Sequence, residues 1–224
     1  IFSYDNVYMD TSDYKFYNQH QNREKNRTKV RTRYYVDSNI AFFEFKQKKD
    51  GITSKYRYEF PSEEHGFMTR GKKRFFEGVW QSNYDGEKAP KIAPAIKTNY
   101  KRITLVSKKR GERLTIDFDI KTLDLRGKNT REVNLKNLVI IESKSLSNKG
   151  ISCKIMKKHN INRSKECSKY SLGVIYSGLA KKFDTFKETI EKIKKIRLET
   201  LKNRDRKTSR FKIKELSKNK ELVK

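Results

Sequence analysis

The residues of this sequence that could do chemistry are arginines and lysines spaced two apart along short alternating segments. Arg31 and Arg33 form one such pair, and Lys55 and Arg57 form another. Side chains two residues apart lie on the same face of a strand. Guanidinium groups bind phosphate oxygens two at a time, and ammonium groups add compact charge. The spacing therefore predicts strand faces that hold phosphate groups. Further cations in segments of the same kind are Lys46, Arg102, Arg113 and Lys144.

Two carboxylates lie among these cations. Glu44 and Glu142 each precede a lysine by two residues in a strand-like segment. A carboxylate beside phosphate oxygens can hold Mg²⁺ or Mn²⁺, which then bridges the protein and the phosphate. The alternative is that each carboxylate pairs with a neighbouring lysine or arginine. The sequence favours this pairing for Glu44 and leaves both roles open for Glu142.

The overall charge balance points to an anionic partner. The chain has 55 lysines and arginines against 27 acidic residues, a formal net charge of +28. Such an excess destabilises a compact state through self-repulsion unless an anionic partner or salt offsets it. Nucleic acid, an anionic membrane face and a phosphate polymer are the partner classes that fit. An alternative is that part of the lysine content merely reflects an AT-rich genome.

Other features of the composition disfavour several classes of protein. Two cysteines outside any Cys-x-x-Cys pair, with three histidines, make a zinc site unexpected. No apolar run approaches the roughly 20 residues that span a bilayer, and no secretory signal is visible. We therefore expect a reducing, cytoplasmic setting. An aromatic content of 12% favours a folded body over a disordered chain.

The cations need strands to position them, and the sequence supplies strand patterns. Three alternating segments follow one another, separated by the turn signals Asp37-Ser38-Asn39 and Asp50-Gly51. Alternation between tight turns predicts an antiparallel meander. The predicted strands span residues 29–36, 41–48, 52–60, 95–106, 112–120 and 138–144.

The remaining segments are predicted to form helices and connections. A short helix is expected after Pro61, and a stripe of apolar residues at helical spacing predicts further helices. Connections are expected at 85–94 and 123–133, with a turn at Lys109-Arg110-Gly111. The longer predicted helices span residues 71–82, 164–178 and 181–201.

The cationic strand faces have two interpretations. An ordinary antiparallel sheet buries its apolar face and exposes its charged face to water. If the sheet instead curls with its charged faces inward, the cations line one tunnel. Like charges that face each other in a space of low dielectric constant repel strongly, so such a tunnel needs a bound anion, and a phosphate chain fits it.

Several ordered segments resemble the VTC domain, the polyphosphate polymerase domain of the triphosphate tunnel metalloenzyme superfamily. The resemblance covers about residues 4–176. The segments that carry it are Val7-Tyr8-Met9-Asp10-Thr11, Asp13 through His20, Arg27 through Tyr34, Phe43-Glu44-Phe45-Lys46, Asn99-Tyr100-Lys101-Arg102, Glu112 through Asp117, Ile140 through Lys144 and Cys167-Ser168-Lys169-Tyr170.

The resemblance implies a mainly β (α+β) fold, an antiparallel eight-stranded barrel around a basic tunnel, with flanking helices and a C-terminal helix. It implies that ATP and inorganic polyphosphate are the partners, that Mn²⁺ or Mg²⁺ is the cofactor, and that the terminal phosphoryl group of ATP is transferred to a growing chain. Glu142 is implied as the metal ligand. The implied phosphate-binding residues are Arg31, Arg33, Lys46, Lys55, Arg102, Arg113 and Lys169.

The sequence departs from the family pattern at two places. The family's barrel begins with a strand bearing glutamates and a lysine ahead of the position of Ile1, so we expect a barrel that is incomplete on its N-terminal side. A family lysine three residues before Lys169 is replaced by Glu166. The expected division is a tunnel domain over 1–178 and a basic C-terminal helix with a frayed tail over 179–224.

Other functions stay open at this point. The same tunnel could hydrolyse triphosphate, or bind polyphosphate without turnover. Nucleic-acid binding rests on charge alone, because the chain lacks helix-turn-helix, zinc-finger and RRM signatures, and no specific nucleic acid is expected. The C-terminal helix could pack on the barrel, form a coiled coil or lie on an anionic membrane, and packing is favoured. The oligomeric state is not predicted.

Overall fold

The computed structural model describes residues 1–107, 111–127, 132–135, 137–145, 150–164 and 166–203. Within them the chain forms one antiparallel sheet flanked by helices. The strands are β1 (Phe2–Asp10), β2 (Arg27–Tyr35), β3 (Ile40–Lys49), β4 (Ile52–Phe60), β5 (Ala93–Val106), β6 (Arg113–Asp124), β7 (Glu132–Leu135) and β8 (Ile140–Lys144).

The strand order is β4-β3-β2-β1-β5-β6-β7, and β8 also pairs with β6. The first half of β6 pairs with β8, and its second half pairs with β7. Over the described residues the sheet therefore ends at β4 on one side and at β7 and β8 on the other, and it does not close into a barrel. This confirms the predicted mainly antiparallel, eight-stranded fold, in the open form.

The turns between β2, β3 and β4 follow from residues that tolerate a left-handed backbone. Asn39 has φ of 50° just before β3, and Asp50 and Gly51 have φ of 47° and 86° between β3 and β4. Asparagine, aspartate and glycine are the residues that adopt positive φ most readily. The predicted meander is thus confirmed, with its turns at the predicted positions.

Helices pack on both faces of the sheet. Short 3₁₀ turns occur at Val36–Ser38, Ser62–Glu64 and Asp184–Phe186. The α-helices are α1 (Lys15–Gln21), α2 (Arg70–Asn83), α3 (Ile151–Lys158) and α4 (Lys169–Tyr176), and a further helix, α5, covers 187–203 of the described chain. None of the described helices combines the length and the apolar character that a membrane crossing requires.

Two apolar clusters hold these helices on the sheet. In the first, Phe43 and Phe45 of β3 pack against Phe76 and Trp80 of α2. The second joins β5 and β6 to α4 and α5. Its buried members include Ile96, Ile120, Tyr170, Leu172, Phe186, Ile190 and Ile193. The first cluster lies with α2 on the outer face of the sheet, opposite the polar residues of β3. The second lies with α4 on the inner face, because Ile96 shares its side of β5 with Tyr100 and Arg102.

Five parts of the fold differ from the sequence predictions. The strand β1 was not predicted because it is the middle strand of the sheet, and Val7, Tyr8 and Met9 are buried in succession without alternation. The helices α1 and α3 were also missed. The connection predicted at 123–133 is wrong at both ends, since β6 continues to Asp124 and β7 begins at Glu132.

The fourth and fifth differences concern helix boundaries. The helix predicted from residue 164 begins only at Lys169, where Ser168 caps it, and the helix predicted from residue 181 becomes α-helical at 187. Ahead of the second helix, Phe186 is buried in the core from a 3₁₀ turn, so its apolar character extended the helical pattern beyond the helix. Lys109 and Arg110 of the predicted turn and the tail 204–224 lie outside the described residues.

Candidate functional site

A cavity of about 740 Å³ lies on the inner face of the sheet, and its walls are strongly cationic. Ten lysines and arginines line it, against two glutamates. Every residue that the sequence singled out for phosphate or metal binding lies on these walls. These residues are Arg31, Arg33, Glu44, Lys46, Lys55, Arg102, Arg113, Glu142 and Lys169.

Strands from both edges of the open sheet reach this cavity. Lys55 comes from β4 at one edge, and Lys144 comes from β8 at the other. The sheet is therefore curled far enough for its two edges to face the same space. Alternation along each strand explains the composition of the wall, because every second residue points inward. The further lining cations are Lys29 and Arg57.

Glu44 is the centre of one cluster of ion pairs. Its side chain is 2% exposed and accepts from Arg31 Nη2 at 2.6 Å, Lys55 Nζ at 2.7 Å and Arg57 Nε at 3.0 Å. Burial raises the pKa of Glu44, but Arg31, Arg33 and Lys55 together hold it well below its usual range. The geometry supports the pairing interpretation of Glu44, because both carboxylate oxygens are occupied by protein cations.

Asp117 is the centre of a second cluster, which the sequence analysis did not assign. Arg102 donates to its two oxygens from Nε at 2.5 Å and Nη2 at 2.8 Å, and Lys169 Nζ donates to Oδ2. Burial raises the pKa of Asp117, and Arg102 and Lys169 more than reverse the effect. The signal in the sequence was the position of Asp117 on the same strand face as Arg113 and Thr115.

Together these two clusters define what we name the paired group. Each carboxylate fixes the orientation of the cations around it, and charge-assisted bonds of this kind are short and directional. The paired group consists of Arg31, Lys55 and Arg57 on Glu44, and of Arg102 and Lys169 on Asp117.

Neutral groups orient a further arginine. Arg33 Nε donates to Asn6 Oδ1 at 2.9 Å, and Arg33 Nη2 donates to Tyr100 Oη at 3.3 Å. Tyr8 Oη accepts from Arg31 Nη1 at 3.1 Å. Burial raises the pKa of the Tyr8 hydroxyl, yet Arg31 and other cations lower it below its usual value overall, which indicates a positive potential in the cavity.

Three lining cations have no carboxylate within 4.0 Å among the described residues, and we name them the unpaired group. They are Lys29, Lys46 and Arg113. Lys29 and Lys46 lie directly opposite each other on β2 and β3. Burial and the charges of Lys46 and Arg31 lower the pKa of Lys29 to about 7. Lys29 was not predicted as a site residue, although its spacing from Arg31 carried the signal.

The N-terminus of α4 positions Lys169. Ser168 Oγ accepts from Ser171 N at 3.4 Å, and Tyr170 donates from its hydroxyl to the buried Asp10 carboxylate. Asp10 also accepts from the backbone N–H groups of Phe16 and Tyr17 at 2.9 and 3.0 Å. These hydrogen bonds connect α4 to β1 and α1, and they hold Lys169 at the cavity wall.

The described residues fit a metal ion only in part. They contain no cluster of three or more histidine, cysteine or acidic side chains that could hold one. The Glu142 side chain is 54% exposed, and the nearest cation to it is Lys144 Nζ at 3.5 Å. Mg²⁺ is commonly bound through one or two carboxylates plus substrate phosphates and water, so Glu142 fits an ion that arrives with its phosphate.

Comparisons with known proteins assign the chain to one family. No curated protein matches the chain. Thirteen chains of solved structures match. One of them is a Bacillus halodurans protein that carries the provisional description of an adenylate cyclase. It is 13% identical to this chain, with a TM-score of 0.43 over 76% of this chain and 82% of its own. The VTC domain family matches residues 2–177. The chain belongs to the VTC domain family.

Proposed function

We propose that this protein transfers the terminal phosphoryl group of ATP to a polyphosphate chain inside the cationic cavity. The observation that carries the proposal is the imbalance of ten cations against two glutamates on the walls of one concave space. Self-repulsion among these cations destabilises the free protein, and a multiply charged anion removes it. Membership of the VTC domain family supports the same activity.

The reaction needs positioning more than covalent chemistry. The ionised terminal oxygen of the chain attacks the γ-phosphorus of ATP, a new P–O–P bond forms, and the bond to the β-phosphate oxygen breaks as ADP leaves with the electron pair. No proton is transferred, since the attacking and leaving oxygens are both anionic. Catalysis then consists of alignment and neutralisation of the equatorial oxygens.

The paired group is suited to that alignment. Arg31 and Arg102 present guanidinium planes whose orientation Glu44 and Asp117 already fix. Such preorganised donors need no rearrangement as charge develops in the transition state. Lys55 and Lys169 add point charge beside them. Glu142 would hold Mg²⁺ or Mn²⁺, which supplies neutralisation between adjacent phosphates.

The test is synthesis of acid-insoluble polymer from radiolabelled ATP with Mn²⁺ by the full-length protein. Arg31→Ala is expected to lower the rate at least about 100-fold, the size typical of losing one preorganised donor. Arg113→Ala is expected to lower the rate too, because it removes a positive charge from the cavity wall. The matched control is Lys101→Met on β5, because Lys101 pairs with Asp119 at 3.2 Å and does not line the cavity. Absence of polymer from the wild-type protein contradicts the proposal.

A second candidate is binding of polyphosphate without turnover. It is favoured by the presence of a single carboxylate, Glu142, that is suited to a metal among the described residues. Calorimetric binding of polyphosphate with neither polymer formation nor phosphate release supports this candidate. Phosphate release from tripolyphosphate without chain growth indicates the hydrolase of the same superfamily.

A further inference from the structure

Lys29 has an unusual environment for a lysine on a cavity wall. Its Nζ donates to the hydroxyl of Ser168 at 3.1 Å, and its cross-strand neighbour is Lys46. Like charges directly opposite on neighbouring strands destabilise a sheet. No carboxylate lies within 4.0 Å among the described residues, and Glu166 acts on Lys29 only from farther away. The free protein therefore gains no compensating ion pair from this lysine.

The position of Lys29 along β2 sets how long an anion must be to reach it. Arg33, Arg31 and Lys29 lie at successive inward positions of the same strand. At about 3.3 Å of rise per residue, the backbone distance from Arg33 to Lys29 is about 13 Å. A linear triphosphate bound at Arg33 is shorter than the distance from Arg33 to Lys29. A longer polyphosphate chain can extend over this distance and reach Lys29.

We propose that Lys29, together with Lys46, forms an anion subsite that contacts only polyphosphate chains long enough to extend along β2 past Arg33 and Arg31. Lys29 thereby determines the preference for chain length. This inference rests on the proposed function for the identity of the polyanion. It assigns a specificity role to a residue that lines the cavity but belongs to neither carboxylate cluster.

A consequence is that binding of a long chain is coupled to proton uptake. Burial, followed by the charges of Lys46 and Arg31, lowers the pKa of Lys29 to about 7, so the free lysine is mostly neutral at pH 8. A phosphate beside the amine favours its charged form. The ionisable groups around Lys29 are Lys46 on β3, Arg27 and Arg31 on β2, His20 on α1, and Glu166 and Cys167 before α4.

The experiment compares tripolyphosphate with a narrow size fraction of longer linear polyphosphate by isothermal titration calorimetry at pH 8. Two buffers of different ionisation enthalpy report the protons taken up. Lys29→Met is expected to reduce the affinity for the longer chain about tenfold, the order of one lost bond to a charged group. It is expected to change the affinity for tripolyphosphate far less. Wild type should take up about one proton more than Lys29→Met on binding the longer chain.

Lys29→Arg keeps the positive charge at every accessible pH. It should restore the length preference without the proton uptake, and this rescue is not expected of a purely structural residue. The inference is overturned if wild type shows no length preference. It is also overturned if Lys29→Met weakens binding of both polyanions equally, or if wild type and Lys29→Met take up equal numbers of protons.

The outcome separates this inference from the proposed function. If wild type binds both polyanions with a Lys29-dependent length preference but transfers no phosphoryl group, the subsite stands and only the polymerase activity is rejected. If wild type binds neither polyanion, both are rejected. Lys101→Met serves as the control for a general loss of charge, since it removes one lysine on the opposite face of β5.

Discussion

The paired and unpaired groups share one cavity but differ in how their charge is balanced. In the paired group, two buried carboxylates each hold two or three cations at hydrogen-bonding distance. In the unpaired group, Lys29 and Lys46 face each other, and the pKa of each is lowered first by burial and then by neighbouring cations. We therefore expect the stability of the protein to change in opposite directions when a charge is removed from one group or from the other.

The charges of the paired group stabilise the fold, whereas those of the unpaired group are available to bind an anionic ligand. Removing one partner of a buried ion pair leaves an uncompensated charge and is strongly destabilising. Removing a cation that has no partner relieves repulsion and stabilises the free protein. Ligand sites commonly carry this kind of local cost, which is why substitutions there can raise stability while they lower function.

The largest effect is expected for Glu44→Gln. Arg31, Lys55 and Arg57 lose their common carboxylate and repel one another, so the free energy of unfolding should fall by about 3 kcal/mol. Urea denaturation monitored by circular dichroism measures the change. The control is Glu142→Gln, which is half-exposed and should stay within about 0.5 kcal/mol of wild type. Equal stabilities of the two variants would remove the distinction between the groups.

A smaller loss is expected for Asp117→Asn. The asparagine keeps one oxygen to accept from Arg102 but loses the charge that opposes Lys169, so the free energy of unfolding should fall by about 2 kcal/mol. ATP affinity should fall as well, because both cations lose their fixed orientation. Calorimetry on the folded variant measures the affinity. Unchanged ATP binding would show that the Asp117 cluster does not orient the site.

The opposite sign is expected for Lys29→Met. A methionine of similar length removes the repulsion with Lys46 and keeps the apolar part of the side chain in place. The free energy of unfolding of the free protein should rise by about 1 kcal/mol at pH 7. Lys101→Met should give no rise, because Lys101 pairs with Asp119. A destabilised Lys29→Met protein would mean that the lysine serves the fold.

The smallest effect is the pH dependence of the difference in free energy of unfolding between Lys29→Met and wild type. Lys29 has a pKa of about 7 in the folded protein and 10.5 as its usual value, so between these limits the unfolded chain binds more protons. Titration of Lys29 therefore raises the stability of wild type with pH in this window. Lys29→Met lacks this contribution. The advantage of Lys29→Met should shrink steadily as pH rises above about 7, and it should be lost only near pH 10.5, in parallel denaturation series. A constant advantage would exclude titration of Lys29.

Acid acts on the paired group instead. Cations hold the pKa values of Glu44 and Asp117 below their usual 4.5 and 3.8, so their contribution to stability is present above those values. It is lost as pH falls further, through the lower pKa values of the folded state. The two groups thus affect stability in separate pH ranges.

The sequence predicted the parts of this architecture that depend on local pattern. Alternation with clear turns identified β2, β3 and β4, and it separated a cationic face from an apolar face on each strand, but it left open which face points inward. Only the family resemblance predicted that Arg31, Lys55 and Arg113 lie on one cavity. A local pattern could not predict it, because the curvature of a sheet depends on all of its strands.

Other parts depend on contacts that a local pattern does not encode. Which cations meet a carboxylate is set by cross-strand register, so Arg31 opposite Glu44 is paired whereas Lys29 opposite Lys46 is not. On β6, the left-handed Asp119 lies where the register with β5 shifts, and it pairs with Lys101 away from the cavity. A bulge of this kind changes which face later residues occupy.

The close packing of α4 was equally inaccessible to sequence reasoning. A Cβ atom at Gly173 would lie 2.5 Å from Ile96 Cγ2 and 2.6 Å from Thr122 Oγ1, so only glycine allows the helix to approach the sheet this closely. That approach brings Lys169 to Asp117. From the sequence, Gly173 was simply one residue of an apolar helix.

The central claim is that the cavity's charge exists for a polyanion, and equilibrium unfolding in the presence of polyphosphate tests it most directly. Measured against sodium chloride at equal ionic strength, polyphosphate at 100 times its Kd should raise the free energy of unfolding of wild type by about 2.7 kcal/mol. Arg31→Ala should lose most of this gain, and Lys101→Met should keep it. No gain in wild type, or an equal gain in Arg31→Ala, would contradict the account.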